Sequence, residues 1–143
     1  MNVFRVLFLT KKNISPEFIF NYAQEKLSII KYDRFCIELT LDHAPKNSGL
    51  IFINVRPQTL VSKDFSFWLL KVLNDKKLSP KQLVLEITEQ QCHILEESIK
   101  SQCQALKALG VKLAIDDFGT GLANLSLLTS VNPDFLKISG AFS

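Results

Sequence analysis

Apolar residues recur along the chain in short, nearly continuous blocks that alternate with amphipathic stretches. The blocks are typical of buried strands and predict strands at residues 5–10, 50–55, 83–88, 111–115 and 135–138. Between the blocks, apolar residues are spaced three or four apart, which predicts helices with one buried face. One such helix should begin at Ser15-Pro16, and the expected buried face of the next consists of Tyr32, Phe35, Cys36 and Leu39.

Strands that alternate with helices favour a parallel sheet with right-handed crossovers, covered on both faces. Two residues mark element ends: Pro57 prevents the second strand from continuing, and Gly110 is expected to cap the helix before the fourth. A closed (β/α) barrel typically needs ~250 residues, and this chain offers about five strand candidates. The predicted fold class is therefore α/β, a partial TIM-like barrel.

The fourth predicted strand ends on two adjacent carboxylates. Asp116 and Asp117 are followed by Phe118-Gly119-Thr120-Gly121, in which glycine makes a tight turn sterically accessible. Neighbouring carboxylates at the end of an apolar strand are costly to leave unpaired, and divalent cations bind carboxylate oxygens readily. The pair therefore indicates either a cation site or a solvated strand end.

Composition and charge narrow the function classes. The chain has 143 residues, of which 47% are hydrophobic and 22% charged, as expected of one folded domain. The net charge is +3, but lysine and arginine are spread along the chain, so we expect no nucleic-acid polymer as partner. The mild positive charge is compatible with an anionic, phosphate-bearing ligand.

The cysteines and the hydropathy of the chain indicate the cellular compartment in which the protein is expected. The three cysteines, Cys36, Cys92 and Cys103, form no Cys-x-x-Cys pair, which disfavours a zinc site or a disulfide framework. A reducing cytoplasm fits this pattern. No apolar run approaches the ~20 residues of a membrane span, so we expect none.

Four segments resemble, in order, the motifs of the EAL family of bacterial phosphodiesterases that hydrolyse cyclic di-GMP. They are Phe52-Ile53-Asn54-Val55, Leu85-Glu86-Ile87-Thr88-Glu89, Asp116-Asp117-Phe118-Gly119-Thr120-Gly121 and Leu136-Lys137-Ile138. The likeness runs from about residue 15 to residue 142. It implies a modified eight-stranded α/β barrel with its active-site groups at the carboxyl ends of the strands. The chain would supply roughly the first five strands, and residues 1–143 are expected to form a single EAL-type domain, incomplete at both ends.

Strand geometry and the resemblance together suggest a site. Residues of equal parity share a face of a strand, so Asn54, Glu86, Asp116 and Lys137 each interrupt an apolar face and could project into one barrel mouth. Two carboxylates and an amide suit Mg²⁺ or Mn²⁺ better than zinc.

The resemblance also implies a role for each residue. It makes Asn54, Glu86, Asp116 and Asp117 metal ligands, with Asp117 also acting on the bridging water. Lys137 would be a catalytic residue beside that water, and Glu89 would brace the Asp-Asp-Phe-Gly loop. The backbone of Gly119 and Gly121 would contact the substrate.

Departures from the family pattern affect the expected activity. Arg5 stands where the resemblance places the glutamate of the Glu-x-Leu segment, and an arginine cannot bind a cation. Ser139 replaces the aspartate of the Lys-Ile-Asp segment. The resemblance also implies a general-base glutamate and a substrate-binding glutamine on later strands, and this sequence has no counterpart of either. From this truncation and these departures we expect an EAL protein related to cyclic di-GMP phosphodiesterases that is inactive alone. The alternative is a non-catalytic module that binds cyclic di-GMP or a protein partner, and open sheet edges also favour self-association.

Overall fold

The computed structural model describes residues 3–5, 28–46, 49–89, 96–119 and 125–139. Ten helices and strands lie within these ranges, in the order β1 (Val3–Arg5), α1 (Ile29–His43), β2 (Leu50–Asn54), α2 (Pro57–Leu60), α3 (Phe65–Asp75), β3 (Leu83–Thr88), α4 (Glu96–Ala108), β4 (Lys112–Phe118), α5 (Leu125–Val131) and β5 (Phe135–Ile138). A single 3-10 turn, Pro80–Gln82, leads into β3. None of the described helices is long and apolar enough to cross a membrane.

The five strands form one parallel sheet in sequential order, β1-β2-β3-β4-β5. The predicted third and fifth strands agree with the structure residue for residue, and β2 ends one residue early, at Asn54. Strand β4 is longer than predicted, because it continues through both aspartates to Phe118. Most of the first predicted strand and the helix expected at Ser15-Pro16 lie outside the described residues.

The two faces of the sheet are packed differently. The face toward the helices joins the main core, with fully buried side chains such as Ile51, Leu85 and Leu113. The opposite face has a smaller apolar cluster, in which Phe52, Val84 and Ala114 are packed with Leu50 and Phe135. This division follows the alternation of side chains along each strand, as the sequence predicts.

The sheet curls toward its smaller cluster. The rings of Phe52 on β2 and Phe135 on β5 meet edge to face, with their centroids 5.5 Å apart. In a flat sheet these strands would be three spacings, roughly 14 Å, apart. Val84 and Ala114, on the strands between them, are small enough to leave room for the two rings. The curved, sequentially ordered parallel sheet is an arc of a (β/α) barrel, which confirms the predicted fold class.

The predicted buried face of helix α1 is wrong. Its buried residues are Asp33, Ile37, Thr40 and Leu41, whereas Phe35 is 61% exposed. Two of the buried positions are polar, so counting apolar residues selects a neighbouring face. Both polar side chains have partners: Asp33 accepts a hydrogen bond from Thr59 (2.8 Å), and Thr40 donates to the Cys36 carbonyl (2.8 Å).

Gly110 ends helix α4 as predicted. Its φ of 97° lies in the left-handed region that favours glycine. The N–H of Val111 donates to the carbonyl of Leu106 (3.1 Å), and that of Gly110 donates to Lys107 (2.9 Å). This pair of bonds is the Schellman motif, which turns the chain directly into β4.

Candidate functional site

Polar side chains stand at the carboxyl ends of four neighbouring strands. Asn54 on β2 pairs in register with Glu86 on β3, and Thr88 pairs with Asp116 on β4. A pocket of about 200 Å³ opens at the ends of β2 and β3, and it is lined by Asn54, Val55, Arg56, Glu86 and Thr88. The parallel register thus brings residues that are far apart in sequence to one edge of the sheet.

Glu86 and Lys137 form an ion pair on the concave face. Glu86 is 4% exposed, and its Oε1 accepts a hydrogen bond from the Lys137 ammonium on β5. The ammonium also lies 5.0 Å from the centroid of the Phe52 ring, within range of a cation–π contact. The curl of the sheet makes both contacts possible, because β4 separates the strands of Glu86 and Lys137.

Asp116 and Asp117 occupy an irregularity between β4 and β5. Ile115 pairs with Leu136 and Phe118 pairs with Ile138, so both aspartates stand opposite Lys137. Such an extra residue is a β-bulge, a feature that re-aims side chains. Asp117 has a φ of 54°, and its N–H donates to Oδ1 of Asp116 (3.0 Å). Asp116 is half-buried on the concave side, whereas Asp117 is exposed.

Glu89 contacts the turn that follows the aspartates. Its side chain is almost fully buried, and Oε2 accepts a hydrogen bond from the N–H of Gly119 (2.9 Å). Gly119 has a φ of 96°, which a residue with a side chain would adopt only under strain. A bracing role would require such a contact, and that role stays a prediction. Gly121, the second glycine of the predicted substrate loop, lies outside the described residues.

The donor set at the mouth fits a hard divalent cation. Within the described ranges, no three histidine, cysteine, aspartate or glutamate side chains converge as a metal site. Glu86, Asp116 and Asp117 therefore do not form a three-carboxylate cage. The predicted oxygen ligands on the concave face include Glu86, Asp116 and the amide of Asn54, and such a cation would complete its shell with water or ligand oxygens. The assignment of the four ligands stays a prediction.

Sequence reasoning missed Arg56 and Asp33. Arg56 follows Asn54 by two residues and lines the pocket, and its guanidinium donates to the buried carboxylate of Asp33 on α1. The position of Arg56 just beyond a strand end was the available signal. Nothing in the periodicity of α1 pointed to Asp33.

Comparison with known proteins identifies the family. The family model described as EAL domain matches residues 4–143. The chain is 36% identical over 138 residues to the cyclic di-GMP phosphodiesterase PdeA of Borreliella burgdorferi, covering 92% of this chain and 20% of that protein. It is 32% identical over 134 residues to the cyclic di-GMP phosphodiesterase PdeF of Escherichia coli, covering 90% and 18%. It is also 36% identical over 105 residues to the blue light- and temperature-regulated antirepressor BluF of Escherichia coli, covering 72% and 26%.

Solved structures of cyclic di-GMP-binding proteins are also similar to this chain. Klebsiella pneumoniae BlrP1, in a complex with manganese and cyclic di-GMP, superposes with a TM-score of 0.78 at 31% identity, covering 89% of this chain and 33% of that one. The FimX EAL domain of Pseudomonas aeruginosa bound to cyclic di-GMP superposes with a TM-score of 0.77 at 27% identity, covering 88% and 52%. The chain thus spans about a fifth of the two phosphodiesterases and a third to a half of these structures. With this family match and the arc of parallel strands, the chain belongs to the EAL domain family and is related to the cyclic di-GMP phosphodiesterases.

Proposed function

We propose that this chain binds cyclic di-GMP together with Mg²⁺ or Mn²⁺ at the mouth formed by β2–β5, and that it does not hydrolyse the nucleotide by itself. The observation that carries the proposal is the convergence of Asn54, Glu86, Asp116 and Lys137 at the carboxyl ends of β2–β5. Relatives named for cyclic di-GMP hydrolysis, and a manganese complex among the structural neighbours, support the choice of ligand and cation.

Each residue has a defined task in this proposal. Glu86, Asp116 and Asn54 hold the cation, with Asp117 near it on the bulge. A divalent cation in such a site supplies Lewis acidity and a water of lowered pKa. Lys137 places a positive charge where a phosphodiester oxygen would develop negative charge. Glu89 holds the N–H of Gly119 and thereby the turn that follows the aspartates.

Two features support the absence of hydrolysis. Arg5 occupies β1 where the resemblance expects a glutamate, and its backbone pairs with Phe52 on β2, the strand that carries Asn54. Lys137 already occupies one oxygen of Glu86, so a cation must share or displace that contact. With few carboxylates at the mouth, the affinity for the cation should be modest.

The second candidate function is non-catalytic. The relative BluF is named an antirepressor, which favours a module that acts through a protein partner. We also propose a cytoplasmic location, which is supported by Cys36 and Cys103 being thiols rather than disulfides. We further propose that the chain self-associates through the edge of β5.

The test combines calorimetry with product analysis. Purified chain is titrated with Mn²⁺ and cyclic di-GMP, and the incubated nucleotide is separated from linear dinucleotide. We expect binding without product, and loss of Mn²⁺ binding in Asp116→Asn and Glu86→Gln. Asp42→Asn is the matched control, because it removes one carboxylate that pairs with Lys76 away from the mouth. Product that disappears in Asp116→Asn would refute the claim of inactivity. Absence of nucleotide binding would leave the protein-partner function as the better account.

A further inference from the structure

Arg56 is a positively charged residue in the lining of the pocket. It lines the pocket together with Asn54 and Glu86, and its side chain is 27% exposed. The position lies between the end of β2 and the first residue of α2, Pro57, so the backbone at Arg56 is set by two regular elements. Residue 56 therefore lies at the rim of the same mouth as the predicted cation ligands Asn54 and Glu86.

A buried carboxylate holds this arginine in place. The side chain of Asp33 is 7% exposed and accepts three hydrogen bonds, from the guanidinium of Arg56, the backbone N–H of Arg56 (3.3 Å) and the hydroxyl of Thr59 (2.8 Å). The guanidinium also lies 6.0 Å from the centroid of the Tyr32 ring. Because the anchor is buried and well bonded, Arg56 is oriented before any ligand arrives, which reduces the entropy lost on binding.

This arrangement suits an anionic ligand. A guanidinium is a planar fork of donors that matches the oxygens of a phosphodiester and keeps its charge at any physiological pH. The carboxylates of Glu86 and Asp116 would repel a phosphodiester, and a fixed positive charge on the rim offsets that repulsion.

We propose that Arg56 is a substrate-binding residue whose guanidinium contacts a phosphodiester oxygen of the cyclic dinucleotide, with Asp33 as its positioning residue. The proposal rests on the proposed function, because it takes the mouth as the nucleotide site. It adds a contact that none of the four resembling segments contains.

The experiment measures cyclic di-GMP affinity by calorimetry in the full chain, at one Mn²⁺ concentration. Asp33→Asn/Arg56→Gln removes both charges, so no buried carboxylate is left without its counter-charge, and circular dichroism checks that the variant is folded. Arg56→Lys keeps the charge but loses the planar fork. Lys76→Gln is the control: it removes the same charge from a pair with Asp42 that does not line the pocket.

We expect the double variant to bind about tenfold or more weakly, Arg56→Lys to bind about threefold more weakly, and Lys76→Gln to match the parent chain. Competition by GMP and by guanosine distinguishes the contribution of the phosphate to binding from that of the base. A phosphate contact predicts that the preference for GMP over guanosine shrinks in Arg56→Lys.

Three results would overturn the inference. Parent-like affinity in the folded double variant would remove Arg56 from the site while leaving the proposed function intact. Parent-like affinity in Arg56→Lys, with an unchanged preference for GMP, would do the same if the double variant does not fold. Failure of the parent chain to bind cyclic di-GMP would refute the proposed function and this inference together.

Discussion

The ammonium of Lys137 on β5 is bonded to the carboxylate of Glu86 on β3, although a whole strand separates them. A divalent cation held by Glu86, as we propose, would neutralise the same buried charge as the ammonium. The proposed cation would therefore compete with the ammonium for one carboxylate. The ion pair would then affect both the stability of the chain and its affinity for the cation.

Replacing Lys137 with methionine tests the competition. Glu86 is 4% exposed, so removal of its counter-charge should lower the free energy of unfolding by about 2–3 kcal/mol. Mn²⁺ should then raise the melting temperature of Lys137→Met by more than it raises that of the parent chain. The double variant Glu86→Gln/Lys137→Met should lose less stability than Lys137→Met and should not respond to Mn²⁺. An equal Mn²⁺ response in parent and Lys137→Met would contradict competition.

Glu89 should control the turn after the aspartates. Glu89→Ala removes the acceptor of the Gly119 N–H and should cost about 1–3 kcal/mol, whereas Glu89→Gln keeps an acceptor oxygen and should cost less. Hydrogen exchange of the Gly119 amide reports the contact directly, and it should accelerate most in Glu89→Ala. The amide of Val111, in the Schellman motif, serves as an internal control because its exchange should change little.

Substitutions of Asp117 should reveal strain in the backbone at this position. Its φ of 54° disfavours most side chains, so Asp117→Gly should be more stable than Asp117→Ala by about 1 kcal/mol. Both variants should lose Mn²⁺ affinity equally, because both lack the carboxylate. Urea unfolding and calorimetry give the two quantities separately. Equal stability of the two variants would show that the backbone at residue 117 is not strained.

Alkaline pH should destabilise the chain through helix α1. Burial raises the pKa of the Cys36 thiol and that of the Tyr32 phenol above their ordinary values. The folded chain thus holds these protons more tightly than the unfolded chain. Their contribution to stability is complete below the pKa values of the unfolded chain and is lost as pH rises through the folded pKa values. Urea unfolding between pH 8 and 11 should give a smaller loss of stability in Tyr32→Phe/Cys36→Ala than in the parent chain.

The edge strand β5 should promote self-association. Its outward residues Leu136 and Ile138 are 43% and 66% exposed, and exposed edge strands template pairing between chains. Ile138→Lys should shift sedimentation toward monomer at a given concentration. The control is Phe67→Lys, which removes a 74% exposed aromatic residue from helix α3. Concentration-independent sedimentation of the parent chain as a monomer would exclude self-association.

Local pattern alone was enough for strands β2–β5 and for the two faces of the sheet, although it did not predict the short helix α2. Strands β3 and β5 could be predicted to the residue because apolar blocks are bounded by turn residues, and Gly110 because few other residues tolerate its backbone angle. Parity along a strand also placed Asn54, Glu86 and Asp116 on the concave face. These features depend on short-range sterics and on the period of the side chains, and neighbouring residues determine both.

Contacts between distant segments were decided only by the tertiary structure. Helix α1 buries Asp33 because Arg56 and Thr59, more than twenty residues away, satisfy its carboxylate, and no periodicity in α1 contains that information. The bulge at Asp116 and Asp117 depends on how β4 pairs with β5, and the Glu86–Lys137 pair depends on the curl of the sheet across β4. A polar group can be buried without a large energetic cost only when a hydrogen-bonding or charged partner is present. Which polar residues are buried therefore follows from packing rather than from local sequence.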